Sequence, residues 1–141
     1  EMIAEARRRL QDAAHRANRQ PDRFPLIFAM PVLIHEDLRV ARERARRRCF
    51  AWLQMPSRAF WLRHAGLDLP KVERPEDIPV ETLGKVCDAI GLFGPAERCL
   101  EQLQQMAQSG VDHIFCLSPA LFEMPEDIVR AFGQVIMPRF K

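Results

Sequence analysis

The chain has 141 residues, 48% of them hydrophobic, and its 21 basic and 19 acidic side chains leave a formal net charge of +2. That length supplies one ordinary core, and the near balance of charge excludes a globally polycationic surface. No run approaches the ~20 apolar residues of a membrane-spanning helix, and the opening EMIAEARRRL is an amphipathic helix rather than a leader, so a soluble cytoplasmic protein is expected.

In chain order, Ile3, Ala6, Leu10, Ala13, Ala14 and Ala17 recur at threes and fours and predict a helix over 2–18. The chain begins at Glu1 already inside this pattern, which reads as a cut edge. Pro21 ends the helix. Residues 25–35, PLIFAMPVLIH, are apolar without alternation, the pattern of a parallel strand covered on both faces, and a strand is expected over 26–34.

His35, Glu36 and Asp37 open the next helix, with carboxylates where the helix dipole favours them. Leu38, Ala41, Ala45, Cys49 and Trp52 form its core stripe up to about Met55, and six arginines crowd its other faces. Residues 56–90 hold two short helices around a proline-rich loop, DLPKVERPEDIP, which resembles an excursion from a regular scaffold.

Gly94 is expected as the N-cap of a helix with Pro95 at its first position, and Gly110 as its left-handed stop. Cys99, Leu100, Leu103, Met106 and Ala107 supply the stripe. VDHIFCLSP follows two residues later as a strand, an αβ connection that belongs to α/β proteins. A last helix starts at Pro125, with Ile128, Val129, Phe132, Val135 and Ile136 turned inward. Two strands, each between helices, are expected to be parallel neighbours. Both would carry unpaired edges.

The string IGLFGPAERCLEQLQQMAQSGVDHIFCLSP resembles the late segment of luciferase-like flavin-dependent oxidoreductases, the family of bacterial luciferase and the deazaflavin-dependent reductases. Gly94-Pro95-Ala96-Glu97 stands where that family has a glycine-led helix start, and Gly110-Val111-Asp112-His113 is similar to its turn into the last strand. FAMPVLIHEDLRVARERA and VIMPRFK are similar to its preceding strand and helix and to its ending. The resemblance implies the C-terminal portion of a (β/α)8 barrel, from helix 6 to helix 8. On this reading residues 1–141 form a single partial barrel domain, incomplete at this length, with 56–90 inserted between strand 7 and helix 7.

What the resemblance implies for function is a monooxygenase or oxidoreductase acting on a small organic substrate. Its cofactor would be reduced FMN or the deazaflavin coenzyme F-420, in a parent enzyme whose phosphate-binding motifs lie ahead of this segment. No cofactor residue carries over, and this chain alone is expected to bind no flavin tightly and to be inactive. Barrel enzymes keep their chemistry at the carboxyl ends of strands, so the mouth-facing candidates are His35 and Glu36 after the first strand, and Ser118 and Pro119 after the second. Phe60, Trp61 and His64 are candidates for a substrate tunnel above that mouth.

Other readings use other residues. RVARERARRRC could offer a basic face to nucleic acid, but Glu36, Asp37 and Glu43 dilute it, and no nucleic-acid partner is expected. The unpaired edges would suit a non-catalytic subunit that pairs with a complementing barrel segment or forms a homo-oligomer. His113 and Cys116, three apart on a strand, point to opposite faces and make no metal site. The four cysteines show no framework spacing and are expected reduced and buried.

Overall fold

The computed structural model describes residues 2–20, 24–118 and 124–140. Helix α1 (Met2–Arg16) precedes strand β1 (Ile27–Ile34), then come α2 (Leu38–Leu53), α3 (Arg58–His64) and α4 (Val80–Ile90). A three-residue strand, β2 (Leu92–Gly94), leads into α5 (Ala96–Gln108), β3 (His113–Leu117) and α6 (Glu126–Ala131). The chain continues from α6 through a π turn at Phe132–Ile136 and a 3-10 turn at Met137–Arg139.

The strands form one parallel sheet in the order β2-β1-β3. Val32 stands opposite Leu92 on one side of β1, and Ile27 opposite His113 on the other. The expected parallel pairing of the strands at 27–34 and 113–117 is present in this register. The short strand at 92–94 was not expected, and it makes β1 central.

Alternation along β1 divides the core into two clusters. Leu33 of β1 and Phe93 of β2 pack with Ala45, Cys49 and Leu53 of α2 and with Val86, Cys87 and Ile90 of α4. Met30 and Val32 of β1 and Leu92 of β2 face the opposite way, onto Cys99 and Leu103 of α5 and Ile136. From β1 to β2 the chain steps one way along the sheet, and from β2 to β3 it steps back across β1. Right-handed crossovers then place the two sets of helices on opposite faces.

This differs from the barrel arrangement expected for helix 6 to helix 8. Consecutive strands of a (β/α)8 barrel pair in sequence order and their helices ring one face. An order of 2-1-3 with helices on both faces is that of an open, doubly wound α/β sheet. The cause is β2: it pairs with β1 on the side away from β3.

Residues 56–90 are part of the core layer. Leu62, Leu69, Val72, Ile78 and Leu83 are buried in the cluster beneath α2 and α4. Arg46, 9% exposed, ties this segment to α2: its guanidinium donates to the Ile78 carbonyl at 2.7 Å and the Pro75 carbonyl at 3.3 Å, and pairs with Glu43 at 2.7 and 2.9 Å.

Two smaller expectations change. Gly94 closes β2 and Pro95 is the N-cap of α5, one residue later than the Gly-Pro signal suggests. Val129 lies exposed on α6, while Ile136 takes the buried position after the helix widens into its π turn. All four cysteines are free thiols, three of them buried and Cys116 half-buried. Among the described residues no helix is long and apolar enough to cross a membrane.

Candidate ligand clefts at the carboxyl edge of the sheet

β1 ends at Ile34, and the residues that follow turn into α2. The His35 N–H donates to the Gly94 carbonyl at 3.0 Å and so prolongs the β1–β2 ladder by one residue. Asp37 then caps α2, its carboxylate accepting from the Arg39 N–H at 2.8 Å and the Val40 N–H at 3.4 Å. Those backbone donors, Arg39 first, hold the Asp37 carboxyl below its ordinary pKa. The Asp37 N–H lies 3.0 Å from His35 Nδ1, and the Asp37 carbonyl 3.2 Å from the same nitrogen. His35 is thus oriented by the same turn that starts the helix.

At the neighbouring strand end Gly94 has φ +129, and a Cβ there would come within 2.8 Å of Leu38 Cδ1. Backbone conformation and the close approach of α2 both require glycine. At the end of β3, the Ser118 carbonyl accepts from Arg48 of α2 at 3.5 Å.

Two open clefts border these ends. The larger, about 630 Å³, lies over β1 and the start of α5, lined by Ile34, His35, Glu36, Pro95, Glu97, Asp127 and Arg130 among others. The second, about 570 Å³, lies at the β1–β3 side, with Val32, Leu33, Ile34, Arg44, Ser118, Glu126 and Asp127 in its walls. Ile34 and Asp127 border both. His35 and Glu36 therefore share one cleft and Ser118 lines the other. Pro119 lies outside the described residues.

Phe60, Trp61 and His64 are elsewhere. They cluster with Trp52: the Trp52 and Trp61 rings are 5.1 Å apart and edge-on, Phe60 lies 5.6 Å from Trp61, and His64 lies 4.5 Å from Phe60. His64 Nε2 is 3.7 Å from a Glu5 carboxylate oxygen on α1. Trp61 borders a space beside Phe28, Ala29 and Met30, the amino-terminal half of β1. The expected tunnel over the mouth is replaced by an aromatic wall at the other end of the strand, because α3 and α4 pack against α2 instead of arching over the strand ends.

Sequence reasoning missed Arg44, Glu97, Asp127 and Arg130 at the clefts. Asp127 and Glu97 had a signal, since both stand in the first turns of their helices, which in parallel α/β folds follow strand ends.

The charge lining both clefts bears on a flavin. Glu36, Glu97 and Asp127 face Arg130 in the first, and Glu126 and Asp127 face Arg44 in the second. A flavin phosphate calls for clustered N–H donors and cations, and these residues do not fit it. Among the described residues no group of three His, Cys, Asp or Glu side chains is placed to hold a metal.

Of the arginines of α2, Arg42 pairs with Asp88 at 3.1 Å, Arg46 is buried and Arg48 reaches the Ser118 carbonyl, while Arg39, Arg44 and Arg47 are exposed.

No protein-family model matches the chain, and no curated protein is significantly similar to it.

Proposed function

We propose that this chain is a segment of a luciferase-like flavin-dependent oxidoreductase, a monooxygenase using reduced FMN or a hydride-transfer enzyme using coenzyme F-420, acting on a small organic substrate. The reading rests on the resemblance of residues 90–119 to that family's closing helix and strand. It is supported by one observation of geometry: two clefts, of about 630 and 570 Å³, open at the carboxyl edge of a parallel sheet, beside His35, Glu36 and Ser118. Barrels and doubly wound sheets both keep their ligands at that edge.

The proposal assigns these residues to the substrate side of the site. The acidic lining leaves the phosphate to be held by groups outside them. A full barrel takes about 250 residues, so the reading requires further βα units in the same protein. In that barrel β1 and β3 would be strands 7 and 8, an adjacent parallel pair like the one they form here.

The test is the coding sequence ahead of Glu1, together with flavin binding followed by absorbance. Upstream βα units with a glycine- and serine-rich phosphate loop are expected, with saturable flavin binding by the protein that includes them. Flavin binding is expected to be absent from the 141-residue chain. An upstream sequence without such units, or micromolar FMN binding by this chain alone, overturns the proposal.

A further inference from the structure

The two edges of the sheet differ. Every residue of β2 is buried, whereas β3 has β1 on one side and, among the described residues, no strand on the other. The phase of the ladder decides what that open edge offers. The His35 N–H donates toward β2, so even-numbered residues of β1 direct their backbone groups to β3. The Leu26 carbonyl accordingly accepts from the His113 N–H at 3.3 Å, and also from the Asp112 N–H just before the strand. With Ile27 opposite His113, the odd residues of β3 bond to β1, and Ile114 and Cys116 aim their N–H and C=O groups outward.

The side chains beside that edge are apolar and uncovered. Phe115 is 60% and Ile27 57% exposed on the α2 side of the sheet. On the α5 side a groove of about 470 Å³ runs from Ile114 and Cys116 to Met137 and Phe140. HIFCL has neither the Lys nor the Pro with which natural sheets guard an exposed edge. The chain exposes 9654 Å², whereas a folded monomer of 16.3 kDa exposes roughly 7,500 Å². That excess is larger than one partner's share of a standard interface, ~800 Å².

We infer that a second copy of this chain occupies the edge, its β3 antiparallel to the first across a two-fold axis at Phe115. The strand is complementary to itself in that register. All of His113–Leu117 overlaps, and Ile114 of each copy exchanges a pair of hydrogen bonds with Cys116 of the other. An axis at any other residue overlaps less of the strand. Phe115 then stands opposite Phe115 of the second copy in the close, non-hydrogen-bonded pair, with about 4.5 Å between Cα atoms, where aromatic pairs stabilise a sheet. Because β2 is covered, the contact closes as a dimer and does not continue as a fibre.

The inference concerns the 141-residue chain and does not use the flavin reading. A closed barrel would bring another strand to this edge, so a monomeric result sinks the dimer and leaves that reading intact.

Sedimentation equilibrium of the chain should show a dimer at micromolar concentration. Phe115→Lys and Phe115→Glu each set like charges opposite each other at the axis, and each should weaken self-association at least about tenfold. An equimolar mixture of the two variants should associate at least as tightly as the parent, because only a contact of position 115 with itself turns both repulsions into an attraction. A monomeric parent overturns the inference. So does a variant that dimerises like the parent, or a mixture that associates no better than its components. Amide exchange on the unaltered protein tests the same register even if a variant fails to fold. The Ile114 and Cys116 amides should slow with rising protein concentration, and more than that of Phe115, which is already bonded to β1. Exchange at Ile114 and Cys116 that does not depend on concentration refutes the pairing.

Discussion

The sulfurs of Cys49 and Cys87 lie 3.5 Å apart, fully buried between α2 and α4. The shared hydrogen bond with Cys87, and then burial, push the Cys49 thiol up, so it stays neutral at every ordinary pH. Thiolates, not thiols, react with electrophiles. In a native sample under iodoacetamide, Cys116 is expected to alkylate first, and Cys49, Cys87 and Cys99 only as denaturant unfolds the chain. Mass mapping that finds Cys49 modified as fast as Cys116 in the native protein would refute this.

Arg46 explains how the proline-rich stretch is held. Its bonds to Ile78 and Pro75 cross from α2 to a loop with few regular backbone bonds of its own. Arg46→Met keeps much of the side chain's bulk but leaves the buried Ile78 carbonyl without its donor and Glu43 without its partner. A loss of ~1–3 kcal/mol in urea unfolding is expected, with faster proteolysis between residues 66 and 79. A loss under about 0.5 kcal/mol, the range of an ordinary surface change, would mean the loop holds itself.

Why some of this was legible in sequence and some was not follows from particular residues. The run IFAMPVLI is long and uniformly apolar, its middle residues Met30 to Val32 are buried between the helix layers, and its strand was readable for that reason. α5 announced itself by the spacing of Cys99, Leu103 and Met106. Leu92–Gly94 could not be read: three residues cannot show alternation, and the glycines around them signal turns as readily as a strand. That omission hid the strand order, which depends on where β2 pairs. The same Gly-Pro signal serves a strand end and a helix start, so Gly94 was assigned to the wrong one. His35 and Glu36 could be placed at the strand end, where they line a cleft, because a strand end is legible. The position of Trp61 depends on the path of α3 around α2, which no local pattern encodes.

Gly91 tests that hidden strand. Its φ of −167 is ordinary extended backbone, so the requirement is space: a Cβ would sit 2.5 Å from the Pro31 carbonyl oxygen and 2.7 Å from the Phe93 ring. Gly91→Ala is expected to push β2 off β1 and cost ~1–3 kcal/mol, with faster amide exchange at His35. Gly133, which has nothing within 4 Å of a Cβ, is the control, and Gly133→Ala should stay within about 0.5 kcal/mol of the parent. Equal effects at the two positions would deny the close approach at Gly91.

Cys99 gives the alkaline limb of stability. Burial beneath the sheet pushes its thiol up to about 12 from an ordinary 9.0. A folded-state pKa raised in this way contributes stability that is fully present below pH 9.0 and is lost as pH rises toward about 12. The chain contains no tyrosine, so phenol ionisation does not overlap this range. Thermal unfolding should fall more steeply over that window in the parent than in Cys99→Ala. Parallel curves from pH 8 to 11 would remove Cys99 from the account.

Asp112 governs the acid limb, and it joins three elements. One of its carboxylate oxygens accepts from the Leu26 N–H at 2.7 Å, just before β1, and from Arg7 of α1 at 2.7 Å, while the same guanidinium also reaches the Gly110 carbonyl. The Leu26 bond first, and then Arg7, hold the Asp112 carboxyl below its ordinary 3.8. The sign follows: a depressed pKa contributes stability present above 3.8 that is lost as pH falls through the lower folded value. Asp112→Asn keeps the shape and one acceptor but not the charge. Its melting temperature should lie below the parent's at pH 7, and the gap should close as pH falls below 3.8. Salt should narrow the gap at pH 7 through the exposed Arg7 pair but leave the Leu26 bond, because screening acts on separated charges in solvent and little on a directed hydrogen bond. A gap that stays constant from pH 7 to pH 3 would show that Asp112 acts through its shape alone.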